Sequence, residues 1–125
     1  MVWTLAQVAL GGALGAVARF AAAAAMVRAF GPVFPWGTLA VNVIGSFLMG
    51  VLFVWLDQRG LMRLAPLLMA GVLGGFTTFS AFSLDVFRLW QAGAVGLAGV
   101  YVAASVALSV LALVAGAWMM RGMAG

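Results

Sequence analysis

The chain contains no cysteine, no histidine, no lysine and no glutamate. Each absence closes a class of function. Without cysteine there is no disulfide, no thiol nucleophile and no thiolate metal site. Without histidine the commonest general base and the commonest transition-metal ligand are both missing. Asp57 and Asp85 are the only carboxylate side chains, and they form no pair in the sequence. Acid–base or nucleophilic catalysis therefore has almost no support. Charge itself is scarce: 6% of 125 residues, where a soluble domain carries about 25%.

What is present is apolar. Hydrophobic residues make up 67% of the chain and the mean hydropathy is +1.26. That is the composition of an all-α integral membrane protein, with room for about four spans of roughly 20 residues each and for no soluble domain. The pI near 11.7 comes from six arginines against two aspartates. Those arginines fall one or two to a loop and make no patch that could follow a phosphate backbone, so no nucleic-acid partner is expected. The first apolar stretch lacks a positive leader segment and is too long for a signal-peptide core, so it reads as a retained span.

Apolar length places the spans at about 4–27, 36–56, 64–90 and 94–120 of one transmembrane domain. Gly31, Pro32 and Pro35 stop the first helix and start the second. Trp36, Trp55 and Trp90 fall near span ends, as interfacial anchors do. With loops alternating sides, Arg59, Arg63 and Arg121 share one face of the membrane, and Arg28 and Arg88 the other. Three against two is too small a bias to fix orientation by the positive-inside rule. A chain with so little bias can insert both ways and pair antiparallel with itself; a single orientation is the other reading.

The third span contains GGFTTFSAFS at 74–83. Two glycines and two β-branched threonines are poor material for an unbroken helix. Irregular backbone at membrane depth survives only where it is buried in protein or lines a wet cavity. A break in the helix is therefore expected near Gly74–Thr78. Such breaks release carbonyls that bind ions.

Polar groups inside the other spans are few and regularly spaced. Thr38, Asn42 and Ser46 recur every four residues in span two. Tyr101, Ser105 and Ser109 do the same in span four. Each set shares one helical face, which serves either helix–helix hydrogen bonding or a pore lining. Gly96, Gly99 and Ala103 offer span four a small-residue packing face. In span one, Arg19 shares a face with Gly11 and Gly15; it either snorkels to the interface or sits as a fixed positive charge in a wet vestibule. Phe76, Phe79 and Phe82 form a ridge beside the expected break, and ring edges carry partial positive charge that can face an anion. Asp85 and Arg88, at i and i+3, are placed to pair.

Four motifs, in order, resemble the small microbial fluoride channels of the Fluc or CrcB family. They are GGALGAVARF, GTLAVNVIGSFLMG, GVLGGFTTFSAFS and the Tyr101-Ser105-Ser109 stripe. The likeness covers all four spans. It implies an antiparallel, dual-topology homodimer in the inner cell membrane that lets fluoride leave the cytoplasm passively and so relieves fluoride toxicity. By the same resemblance Phe79 and Phe82 present ring edges to the path and Asn42 donates to fluoride. Ser80, Tyr101, Ser105 and Ser109 add polar lining, and Arg19 stands near the vestibule. The main-chain carbonyls of Gly74 and Thr77 from each subunit would hold a structural Na+ at the dimer centre. Two positions depart from the family pattern: Ala81 where a threonine is usual, and Asp85 where a glutamate is. The alternatives are a small dual-topology multidrug exporter, which needs a protonatable carboxylate in the membrane, and a structural membrane subunit without transport.

Overall fold

The computed structural model describes residues 1–124, and the described residues are helices and connecting turns. Helix α1 runs Val2–Phe30 and α2 runs Trp36–Arg59. A short 3-10 turn, Met62–Leu64, leads into span three, and α5 runs Val95–Ala124. Among the described residues, four segments are long and apolar enough to cross a membrane: Val2–Phe30, Trp36–Arg59, Met62–Gln91 and Val95–Met123. Gly60 ends α2 in the left-handed conformation, φ 65°, which a glycine adopts without a Cβ clash.

Glycine decides how closely these helices approach. A Cβ at Gly50 would run into the Leu113 carbonyl, and one at Gly116 into the Phe47 carbonyl, so α2 and α5 pack backbone to backbone. Gly37 does the same against Ala23 of α1. By contrast, Gly96 and Gly99 of α5 meet nothing. The small-residue face expected there is unpacked within this chain, because α5 takes its tight contacts from α2 one end further along.

Span three is built from four pieces. Pro66–Leu73 is a π-helix with proline in its first turn, and the Gly74 N–H reaches back to the Met69 carbonyl. A single turn, α3 (Gly74–Phe76), follows. Thr77 (φ −95°, ψ 158°) and Thr78 (φ −152°, ψ 125°) are extended. The helix restarts as α4, Phe79–Gln91.

The break therefore lies at the two threonines. Gly74 and Gly75, expected to help open the helix, stay helical, and for Gly75 the reason is steric. A Cβ at Gly75 would come within 2.6 Å of the Gly12 carbonyl, so this glycine is needed for helix contact rather than for its φ. The π pitch was not expected at all; i→i+5 bonding adds a residue per turn and is common near functional sites.

The two halves of span three face different neighbours. Pro66–Leu73 and α3 lie along α1, where Gly11 and Gly15 meet the carbonyls of Leu67 and Val72. Helix α4 turns Phe82, Val86 and Leu89 toward a small buried cluster with Leu39, Ala98 and Tyr101. Outward-facing Leu10, Leu14, Val17 and Leu111 are all exposed, as a lipid-facing surface requires.

Candidate functional site

The ends of the break are held by side chains from two other helices. Asn42 of α2 grips Thr78 on both sides of its backbone: Nδ2 donates to the Thr78 carbonyl (3.0 Å), and Oδ1 accepts from the Thr78 N–H (2.8 Å). Arg19 of α1 donates through Nε to the Gly75 carbonyl (3.1 Å). Thr77 closes its own side of the gap, its N–H and its Oγ1 both donating to Leu73 O at 3.0 Å. Thr78 caps α4, its Oγ1 accepting from the Ala81 N–H (3.2 Å) and lying 3.3 Å from Ser80 Oγ.

Three carbonyls at the break, those of Gly74, Phe76 and Thr77, accept no hydrogen bond among the described residues. In a membrane an unmet carbonyl is costly. Carbonyl oxygens are also hard ligands of the kind a hard cation takes. Two of the three, Gly74 and Thr77, are the pair the family resemblance assigns to Na+.

Beside the break lies a groove of about 460 Å3. It brings together Asn42 and Ser46 from α2, Thr77 and Thr78 from the break, Phe79 and Phe82 from α4, and Ser105 and Ser109 from α5. Met49, Val106, Val110 and Leu113 complete its apolar wall. No charged side chain lines it. The rings of Phe79 and Phe82 are 5.5 Å apart at 47°. Ser105 Oγ is buried and has no hydrogen-bond partner among the described residues, which leaves a free hydroxyl in the wall.

The other sequence-selected residues fall outside this lining. Tyr101 is fully buried at one end, between Phe34 (5.5 Å, edge-on) and Phe82 (5.2 Å). Its hydroxyl donates to Asp85 (3.0 Å). The bond Asp85 makes is thus across to α5 rather than along its own helix to Arg88; the two instead share a smaller pocket of about 150 Å3 with Pro32 and Pro35. Ser80 is exposed and bonds Thr78 rather than lining the groove. Arg19 is on the far side of the break, against Gly75. Sequence reasoning passed over Thr78 as a clamp point. Its signal was available: a threonine directly before a helical run is a capping residue.

A polytopic helical membrane protein, with one span broken at membrane depth and a polar, uncharged groove at the break, is the class this arrangement defines. Residues 6–117 match the model of the family described as CrcB-like protein, Camphor Resistance (CrcB), and the chain belongs to that family. It is 58% identical to the fluoride-specific ion channel FluC of Cereibacter sphaeroides (strain ATCC 17029), over 98% of this chain and 98% of the relative. It is 50% identical to that of Rhizobium etli (strain CIAT 652), over 94% and 95%, and 50% identical to that of Paracoccus denitrificans, over 98% and 98%. As a multi-pass protein of this family, it resides in bacteria in the inner membrane.

Proposed function

We propose that this chain is a passive, fluoride-selective channel rather than an enzyme, and that the groove beside the break is part of its anion path. The observation that carries this is the groove's chemistry: hydroxyls, one carboxamide and two aromatic rings, with no charge. Fluoride holds its water tightly, so a path must offer donors in place of that water. Ser46, Ser105, Ser109, the second N–H of Asn42 and the ring edges of Phe79 and Phe82 can do so. A fixed cation in the lining would hold the ion; neutral donors let it leave. Tyr101 and Ser80 support this path from its end and edge.

The working unit in this reading is an antiparallel homodimer. Phe79 is 77% exposed, and Gly74, Ser80 and Ser83 are exposed at membrane depth. The two serine hydroxyls and the unmet Gly74 carbonyl belong against protein rather than lipid. A second copy inserted the other way would cover them, and the weak arginine bias allows it. At the centre, Gly74 and Thr77 carbonyls from both copies would hold one Na+, whose charge would answer the carbonyls that have no donor. The multidrug-exporter alternative lacks its carboxylate, since Asp85 is engaged by Tyr101 and no acid lines the groove.

The test is fluoride efflux from liposomes carrying the purified protein, read with a fluoride electrode beside a chloride control. Fast fluoride release with little chloride release is the expected result. Equal release of both ions, or none from folded protein, would overturn the reading.

A further inference from the structure

Arg19 is a membrane-embedded charge with an unusual partner. Neither aspartate is bonded to it: Asp85 accepts from Tyr101, and Asp57 lies in the last turn of α2. It does not line the groove. What it touches is a main-chain carbonyl, Gly75 O, at 3.1 Å.

The helix that ends at Phe76 explains why. The last four carbonyls of any helix lack partners within it, and here that end is buried in a membrane. The macrodipole also gathers partial negative charge there, which a cation offsets. Leu73 O is met by Thr77 twice over, and Gly75 O is met by Arg19. The reach is built into α1. Gly75 packs against Gly12 and the Ala16 N–H, about two turns and one turn before Arg19. Side chains of a helix lean toward its N-terminus, so the Arg19 stem runs back over that turn to the carbonyl.

We propose that Arg19 is a positioning residue that caps the first half of the broken span. Its charge serves the carbonyl end of that half-helix and not the attraction of anions. It fixes the Gly75–Phe76 peptide from α1, while Asn42 fixes Thr78 from α2, so the gap between them is held at both ends. Permeation depends on Arg19 through the shape of the break.

This inference rests on the channel reading for its flux test, and a spectroscopic test frees it from that dependence. Gly75–Phe76 is the only Gly–Phe step in the chain. Protein labelled with carbonyl-13C glycine and amide-15N phenylalanine therefore reports one linked carbonyl, that of Gly75. Arg19→Lys, Arg19→Gln and Arg19→Met would be compared in liposomes for this resonance, for maximal fluoride flux, and for the fluoride concentration giving half of it.

Arg19→Met should displace the resonance and lower maximal flux about tenfold, the effect of one lost charge-assisted hydrogen bond. The half-saturating concentration should stay within about twofold, because no anion contact is removed. Across the three variants flux should follow the resonance and not the charge. A raised half-saturating concentration that salt abolishes, with the resonance unmoved, would overturn the proposal in favour of a vestibule charge. So would an Arg19→Lys protein with a displaced resonance and parental flux. Should Arg19→Met fail to fold, the Lys and Gln variants carry the same comparison. A parent protein that conducts no fluoride would sink the channel reading, while the resonance would still decide whether Arg19 holds Gly75.

Discussion

The two halves of span three are held in opposite ways. The first, Pro66–Phe76, lies on α1 with glycines at the contact on both sides: Gly11 and Gly15 of α1, Gly71 and Gly75 of its partner. Its position is fixed by backbone meeting backbone. The second, α4, is held by side chains: Asn42 to Thr78 at its start, the Phe82–Tyr101 ring contact in its middle, and the Tyr101–Asp85 bond beyond. Backbone contacts at glycine leave no room to adjust, whereas rotamers and hydroxyls can. The rigid half carries the free carbonyls of Gly74 and Phe76, and the side-chain half lends Phe79 and Phe82 to the groove. Pro66–Phe76 and α4 are thus parts of one span with different stiffness.

The sharpest break of this comparison is a Cβ in the rigid half. Gly75→Val would press into the Gly12 carbonyl and Ala16 backbone, and backbone cannot yield as a side chain does. Overpacking of this kind costs roughly 1–3 kcal/mol or more, and loss of folded protein in detergent is the expected outcome. Gly12→Ala is the control, since a Cβ there meets nothing within 4 Å and thermal stability should be unchanged. If both variants unfold alike, close backbone contact is not what holds this half.

The side-chain half should fail differently, in flux before fold. Phe82→Ile removes a ring that stands 5.5 Å from Phe79 and 5.2 Å from Tyr101. Fluoride efflux should fall strongly, with the protein still folded and eluting as the parent does. A parental rate from this variant would rule out a ring-edge role.

Much of this was legible in the sequence, and the limits are instructive. Composition alone gave a helical membrane protein, because 67% apolar residues at 6% charge fit nothing else. The spacing of four told which polar residues share a face: Asn42 with Ser46, Ser105 with Ser109. It did not tell which faces meet; that they close on one groove is a matter of helix packing. The glycines were harder. Gly75 looks the same whether a glycine is there to bend the chain or to let another helix approach, and only the position of Gly12 separates the two. Arg19 was legible as an embedded charge but not as a cap, since its acceptor is a carbonyl 56 residues away in the chain. The Asp85–Arg88 pairing misled because helical spacing offers a neighbour without showing that Tyr101, from another helix, is better placed.

The smallest expected effects lie within the break itself and separate its two threonines. Thr78→Val deletes the hydroxyl that caps α4 and should cost about 1 kcal/mol of stability, read as a lower unfolding midpoint in detergent. Thr77→Ser keeps the hydroxyl bond to Leu73 and the free main-chain carbonyl, and loses only the methyl that packs against Gly45. Its flux and its stability should change little. If only the Thr77 carbonyl serves the proposed cation, this variant should also respond to sodium as the parent does. A severe loss in Thr77→Ser would mean that the side chain, wedged against Gly45, sets the geometry of the break. The extended pair would then be shaped by α2 at Thr77 as well as at Thr78, and the side-chain-held half of the span would begin one residue earlier, at Thr77.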